Sequence, residues 1–364
     1  MKSELIERVT MPKWGLSMKT GKVIEWFVAE GDTIAKGDDL ADIETEKIAG
    51  TLESAQEGLL RRIVARTGVE LPVGATLAVV APPDVPDDEV DAVVAQALAQ
   101  LESGELGGEE ELVPSTAEVD GRTISYITMG EAGGDPIVLV HGYGGDKNSW
   151  LFVQQPLSEQ HTVHALDLPG HGASGKDVGD GSLDTLAGTV LGFLDAVGAE
   201  RAHLVGHSLG GAVVAAVAAR APDRVASLAL LAPAGFGGDI DAEYLRGFAA
   251  ASSRRELKPL LGRLFADPSQ VTRQLVDDLL KYKRLDGVSA ALDTLLGTLL
   301  DGDRQAIDTQ ALLAGVKAPV TVVWGGDDRI LPPPEGVELH RVEAGHMLHM
   351  EAPNDVLGVL RGAG

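Results

Sequence analysis

The chain has no cysteine among its 364 residues. Disulfides, thiolate metal sites and a cysteine nucleophile are thereby excluded, and the composition suits a reducing compartment. Basic residues are also few. Thirty Lys and Arg stand against 55 Asp and Glu, for a formal net charge of −25. Such a surface repels nucleic acid and anionic membrane, so neither is expected as a partner. Long apolar runs are missing. Ala212 to Ala219, the longest run of small apolar residues, is too short to cross a bilayer. Met1 to Arg8 mixes both charge signs without an apolar stretch, so no signal peptide is expected and a cytoplasmic location is. What remains is ordinary globular composition, and the length favours two domains.

The first eighty residues contain a repeat. Gly21-Lys-Val-Ile-Glu-Trp-Phe-Val-Ala-Glu-Gly31 is echoed by Gly58-Leu-Leu-Arg-Arg-Ile-Val-Ala-Arg-Thr-Gly68. Gly31, Gly37, Leu40 and Ile43 return as Gly68, Gly74, Leu77 and Val80, each 37 residues later. Glycines at fixed places mark turns, and the β-rich stretches between them read as short strands. Two such copies predict a pseudo-twofold β-sandwich or flattened barrel, since neither copy buries its apolar face alone.

From Arg66 to Arg122 no Lys or Arg intervenes. Proline punctuation at 81–86 and one-signed charge predict an acidic linker over 82–117, with at most a marginal helix at Val90 to Leu101. A flexible chain of that length spans roughly 30–35 Å, and tethering of this kind gives an effective concentration on the order of millimolar. The repeat-built domain is therefore placed at 1–81 and a second domain at 118–364. In the second domain, short apolar runs at 136–140, 162–166, 202–205, 226–231 and 319–324 alternate with helical sequence. That alternation predicts an α/β fold with a parallel sheet covered on both faces. Helix-like sequence from Tyr244 to Leu300 interrupts it, which predicts an inserted helical cap at about 236–310.

Between the two repeats lies Ile43-Glu-Thr-Glu-Lys47-Ile-Ala49. Pseudo-symmetry puts Lys47 on a hairpin where a long flexible stem reaches into solvent, as an attached swinging arm requires. Taken alone it is one more surface lysine. Together with Met11-Pro-Lys-Trp-Gly-Leu-Ser-Met18, however, the segment resembles the lipoyl domains of 2-oxoacid and acetoin dehydrogenase complexes. The resemblance covers residues 5 to 81 and implies a lipoyl group on Lys47. Biotin carriers usually place methionines beside the modified lysine, and here Glu46 and Ile48 flank it. Lys13 and Lys19 read as ordinary surface charges.

Gly206-His-Ser208-Leu-Gly210 stands between a predicted strand and an Ala-rich helix. A serine nucleophile on a tight, strained turn needs glycine two residues to either side, and a following helix N-terminus favours a developing oxyanion. An acid and a base follow in the order Ser, Asp, His. Asp327 and Asp328 in Gly-Gly-Asp-Asp-Arg-Ile-Leu-Pro332 compete as the acid, and resemblance to the α/β-hydrolase family implies Asp328, with Asp327 the alternative. His346 in Ala-Gly-His-Met-Leu-His349 is the expected base. His207 is expected to pack beside the turn, and His349 to line the pocket or abut His346. The other histidines read as structural or exposed, and no zinc site is expected.

This half resembles the α/β-hydrolase family over Val119 to the C-terminus. The resemblance assigns the loop His141-Gly-Tyr-Gly-Gly145 to the oxyanion hole, with the amides of Tyr143 and Leu209 as donors. It also marks Asp167-Leu-Pro-Gly-His-Gly-Ala-Ser174 as a structural hallmark. A carrier and a serine acyl-transfer site on one chain resemble the dihydrolipoyl acetyltransferase subunits of bacterial acetoin dehydrogenase complexes. That implies coenzyme A as acceptor. It also implies a thiamine-dependent dehydrogenase, dihydrolipoamide dehydrogenase and further copies of the chain as partners. The His-x-x-x-Asp-Gly motif of ordinary dihydrolipoyl acyltransferases is absent, and the linker lacks a basic subunit-binding segment. Two other readings stand beside this one: a carrier-fed ester or thioester hydrolase, and a lipoyl carrier on a non-catalytic scaffold. Finally, 243–286 holds nine bases and six acids, net +3, which offers Arg254, Arg255 and Lys258 as contacts for coenzyme A phosphates.

Overall fold

A computed structural model describes residues 6–12, 18–45, 49–103 and 113–362. They divide into two units, meeting in the chain at Leu112/Val113. None of the described helices is long and apolar enough to cross a membrane.

The first unit contains strands β1 (Glu7–Thr10), β2 (Thr20–Trp26), β3 (Thr33–Ile34) and β4 (Asp39–Thr45), then β5 (Ala49–Glu53), β6 (Gly58–Ile63), β7 (Glu70–Pro72) and β8 (Thr76–Ala81). They form two four-stranded sheets, β5-β4-β2-β7 and β1-β8-β6-β3. Each sheet takes strands from both sequence copies, which is why one copy cannot fold without the other. The 37-residue symmetry reaches individual bonds. Gly31 N–H donates to Leu60 O and Gly68 N–H to Val23 O, both at 2.8 Å. Both glycines have positive φ, +96° and +81°, where a side chain would be strained. The pairings Val23–Ile43, Glu25–Asp42 and Trp26–Ala41 recur as Leu60–Val80, Arg62–Val79 and Ile63–Ala78, with a register shift at the same point in each. Leu40, Ile43, Leu77 and Val80 fill the space between the sheets.

The segment read as linker departs from expectation. Helix α1 (Asp87–Ser103) is 17 residues long and docks on the outside of the β1-β8-β6-β3 sheet. Val85 and Val90 bury against Val79 and Ala81, with Ile6, Val64, Val93 and Val94 around them. Arg61 donates to the carbonyls of Pro82 and Val85 and to Asp87, Arg62 donates to Asp91, and Arg8 reaches Gln96 and Gln100. Acid run and valine spacing, read separately as linker and as a marginal helix, are the two halves of one docking face. Only 104–114 then lie between α1 and the second unit's first strand, so the estimate of a 30–35 Å flexible span no longer applies to 82–103.

The second unit opens with β9 (Ser115–Val119), β10 (Arg122–Met129) and β11 (Ile137–Val140), then α2 (Leu151–Ser158), β12 (Val163–Leu166), α3 (Leu183–Ala196) and β13 (Ala202–His207). Next come α4 (Leu209–Arg220), β14 (Val225–Leu231) and helices α5 (Ala242–Ala250), α6 (Arg254–Leu261), α7 (Arg273–Lys283) and α8 (Val288–Leu299). A hairpin of β15 (Leu300–Asp301) and β16 (Arg304–Gln305) and helix α9 (Thr309–Leu313) lead to β17 (Val320–Gly325) and β18 (His340–Val342). Helices α10 (Leu348–Glu351) and α11 (Pro353–Gly362) end the unit.

Its sheet runs β18-β17-β14-β13-β11-β12-β10-β9, parallel from β18 to β12 and antiparallel at β10 and β9. The five apolar runs are the five central strands. Every residue of β11 and β12 is buried, as a sheet covered on both faces requires. The antiparallel edge and β18 were not legible, because their residues alternate in burial or are too short to show a run. The interruption is helical as expected: α5 to α8 follow one another between β14 and β17. β11 has β12 on one side and β13 on the other, so chain order reverses beside it. Loops leaving the carboxyl ends of such strands are where α/β sheets build sites.

Candidate active site

Ser208 follows β13 directly and caps α4. Its φ of 53° is one of three positive values among described non-glycine residues, so the turn is strained. The two glycines explain how the turn closes. A Cβ on Gly206 would strike the Gly210 carbonyl, and one on Gly210 would strike the Val140 and His141 carbonyls of the neighbouring strand end. Residues Leu209 to Ala218 of α4 are all buried, so the helix is fixed against the sheet and its N-terminus holds still beneath the serine.

The loop after β17 brings Asp328, and the loop after β18 brings His346. His346 Nδ1 lies 2.7 Å from Asp328 Oδ2. The other carboxylate oxygen accepts the amides of Ile330 and Leu331 at 2.8 and 2.9 Å. Asp328 is buried and Asp327 is exposed, which separates the two aspartates. An Nδ1–H donated to the carboxylate leaves Nε2 of His346 as the basic nitrogen. His207, next to Ser208 in the chain, donates from Nε2 to the His346 carbonyl at 2.9 Å, and the two rings lie 4.7 Å apart. The nucleophile turn and the histidine loop are thus joined directly. Glu351 holds the same loop from the other side, accepting the amides of Gly345 and Ala266 at 2.7 Å. Burial pushes the Glu351 carboxyl above its ordinary range despite these donors.

The loop after β11 completes the convergence. A Cβ on Gly142 would come within 2.9 Å of Ser208 Cβ, so this loop passes against the serine. Two buried histidines set its shape. His141 Nδ1–H donates to Gly142 O at 2.7 Å and its Nε2 accepts from Leu168 N–H at 3.0 Å. His171 Nδ1–H donates to Pro169 O and its Nε2 accepts from Gly144 N–H, both at 3.0 Å. Both must be neutral to accept, and burial, followed by the nearby His141, depresses the His171 pKa to about 3. Beneath them Asp167 is buried with Lys147 at 2.6 Å and accepts the amides of Lys147 and Ala173. Burial opposes its charge, yet Lys147 and these donors hold its carboxyl below the usual range. Tyr143 donates its hydroxyl to Leu292 O in α8, which ties the loop to the helical insertion.

His349 lies near enough to the base His346 to feel its charge. It is fully buried, stacks between Trp150 and His207 with both centroid separations at 4.6 Å, and neither ring nitrogen has a hydrogen-bond partner. Burial, then the neighbouring His346, pulls its pKa down to about 3. His164 is a structural residue bonded to Thr128, and Lys19 is exposed. Of the three insertion cations, Arg254 is ion-paired with Asp277, whereas Arg255 and Lys258 are exposed. Sequence reasoning missed Lys147 and Glu351 as supports, and marked His171 only as part of a structural hallmark. For Lys147 the signal was a charged lysine inside an otherwise turn-like Gly-Gly-Asp-Lys-Asn run.

Lys47 lies outside the described residues. The strands bracketing it in the chain, β4 and β5, pair as far as Glu44 opposite Ala49. Both of those residues are exposed, a setting that fits a lysine bearing a covalent lipoyl arm.

Comparison with known proteins agrees with this fold. The family model described as alpha/beta hydrolase fold matches residues 135–353, and one described as biotin-requiring enzyme matches 7–80. A dihydrolipoyllysine-residue acetyltransferase component of an acetoin cleaving system from Pseudomonas putida is 49% identical over 360 residues, 96% of each chain. The chain belongs to that family. A second member, from Cupriavidus necator, is 45% identical over 99% of this chain and 97% of its own. Acetoin-system acetyltransferase components therefore share both halves, carrier and hydrolase fold, in this order. Among solved structures, a meta-cleavage product hydrolase, CumD, superposes with a TM-score of 0.61 at 22% identity, covering 68% of this chain and 96% of its own. At that identity the likeness is one of fold.

Proposed function

We propose that the protein is a dihydrolipoyllysine-residue acetyltransferase that passes an acyl group to coenzyme A through Ser208, His346 and Asp328. The observation that carries this is the convergence of the strained serine turn with a buried His346–Asp328 pair on a chain that begins with a lipoyl-type domain. Lys47 would hold a lipoyl arm, which would supply the acyl group as a thioester. Ser208 Oγ attacks the acyl carbonyl while His346 Nε2 takes its proton. Asp328 keeps His346 in the Nδ1–H tautomer and stabilises the imidazolium. The amides of Tyr143 and Leu209 are assigned to the oxyanion, and the neutral His141 and His171 keep the Tyr143 loop in position. His346 returns the proton to the departing sulfur, then accepts one from the coenzyme A thiol, whose sulfur attacks the acyl-serine. Ser208 is regenerated with its proton.

Arg255 and Lys258 are assigned to the phosphates of coenzyme A, with Arg254 contributing only once released from Asp277. The complex is the setting that the relatives' names imply. A thiamine-dependent dehydrogenase would load the arm and dihydrolipoamide dehydrogenase would reoxidise it.

Hydrolysis is the competing outcome, favoured by a specific likeness. A 2-hydroxy-6-oxononadienedioate/2-hydroxy-6-oxononatrienedioate hydrolase from Paraburkholderia phymatum is 34% identical over 57% of this chain and 76% of its own. Acetyl-dihydrolipoamide supplied with and without coenzyme A separates the two. Acetyl-CoA that disappears in Ser208→Ala supports the transferase; free acetate regardless of coenzyme A makes the protein a hydrolase.

A further inference from the structure

The 37-residue symmetry of the first unit makes its two outer sheet faces directly comparable, and they differ in one respect. On the β1-β8-β6-β3 sheet the outer face is covered by α1. Its apolar positions are Ile6, Val64, Val79 and Ala81, and its charges are Arg8, Arg61 and Arg62, net +3. Each arginine meets an acidic or amide side chain of α1.

Shifted by one repeat, Val64 becomes Phe27, Val79 becomes Asp42, Ala81 becomes Glu44, Arg61 becomes Ile24 and Arg62 becomes Glu25. The strand pairings assign Ala49 and Thr51 to the places of Ile6 and Arg8. Among the described residues no helix covers this second face, and Ile24 and Phe27 are 43% and 48% exposed. Its charge is inverted to four carboxylates, Glu25, Asp42, Glu44 and Glu70, and Lys22, paired with Glu44 at 2.7 Å and standing across the strands from Glu70, leaves them net −3. Glu25 stands directly across the strands from Asp42, where the covered face has Arg62 across from Val79. Like charges opposite one another destabilise a sheet, so the pair opposes folding rather than aiding it. The face also reaches the strand ends on either side of Lys47 in the chain, through Glu44 and Ala49.

We propose that this outer face, built on Ile24, Glu25, Phe27, Asp42 and Glu44, is the docking surface for the enzyme that loads the acyl group, which presents an apolar ridge flanked by Lys or Arg. The inference rests on the carrier reading of Lys47. The covered face shows what this scaffold accepts: a helix contributing valines to the apolar positions and charges opposite to those of the sheet. Inverting the sheet's charge inverts that demand, and it rules out the acidic α1 of another copy as the occupant. A carboxylate-rimmed apolar patch fits a basic partner, whose association is steered by charge and anchored by the two apolar side chains.

The test uses the lipoylated full chain and the purified acyl-loading enzyme of the same system, with initial loading rates followed against carrier concentration. Glu25→Lys/Asp42→Lys and, separately, Phe27→Ser should raise the KM for the carrier about tenfold while kcat stays within about twofold. Added salt should raise the wild-type KM and leave that of the charge-swapped variant nearly unchanged. Glu25→Gln, which relieves the cross-strand repulsion, should be no less stable than wild type yet still load more slowly, a split that a structural role would not produce. Acyl transfer from free acetyl-dihydrolipoamide to coenzyme A should be unaltered in every variant. If wild type fails in that reaction, the proposed activity falls while the loading KM still reads the docking face. An unchanged loading KM overturns the docking proposal. So does a defect confined to self-association by sedimentation, or to transfer from the chain's own arm.

Discussion

The two units reach their functional groups by opposite routes. In the carrier unit, repeated glycines and apolar residues place equivalent bonds twice, and the group of interest is one lysine between two paired strands. In the hydrolase unit, nothing repeats. Ser208, His346, Asp328 and the Tyr143 loop arrive from the ends of four different strands and meet only because the sheet brings those ends together. A carrier needs exposure, which a local hairpin supplies. A catalytic site needs convergence and buried supports, which require the whole fold. The distribution of histidine follows the same division: all nine lie in the second unit.

The sharpest way to break the comparison is at the serine. Ser208→Ala should lower acyl transfer by about 10⁴-fold or more while the lipoyl mass on the carrier unit is unchanged, read by initial rates and intact mass. Asp328→Asn should cost about 10⁴-fold in kcat by upsetting the His346 tautomer, while Asp327→Asn stays within about threefold. Equal losses at the two aspartates would contradict the assignment.

Next in size is the buried pair beneath the oxyanion loop. Lys147→Met leaves Asp167 charged and buried, and should destabilise the hydrolase unit by about 3–5 kcal/mol in urea unfolding. Lys147→Met/Asp167→Leu should recover part of that loss, because no uncompensated charge remains. The carrier unit's own transition should not move in either variant.

Acid should act on the hydrolase unit through its buried histidines. His171 and His349 have folded pKa values of about 3, below the ordinary 6.5, so between these values the unfolded chain binds more protons than the folded one. Stability from these groups is complete above about pH 6.5 and is lost as pH falls toward 3. Each contributes roughly 1.4 kcal/mol per pH unit in that window. Urea midpoints at pH 7, 6 and 5 should show the histidine-linked loss in the hydrolase transition, and His349→Phe should reduce its slope. A slope unchanged by that substitution would refute the role given to His349.

The smallest effect tests the repeat itself. Gly31→Ala and Gly68→Ala place a side chain in open space, at φ values of +96° and +81° that disfavour it. Each should cost about 1 kcal/mol, and by similar amounts, in the carrier transition alone. A large inequality would show that the two copies are not energetically equivalent.

Much of this was determined by the sequence itself. The glycine register fixed the two-sheet carrier, because positive φ is a local demand that only glycine meets cheaply. The apolar runs identified the five central strands, because a strand buried on both faces has no polar alternation to hide it. Gly206, Ser208 and Gly210 identified the nucleophile turn, because the steric conflict that excludes side chains there lies within a few residues and one adjacent strand. Tertiary structure decided what depends on distant partners. Whether 87–103 was a linker or a helix turned on Arg8, Arg61, Arg62 and Val79, residues far away in the chain. Asp328 was separated from Asp327 by which of the two meets a buried histidine. Lys147 is legible as a buried cation only once Asp167 lies beside it, since desolvation and pairing are properties of surroundings and not of residue type.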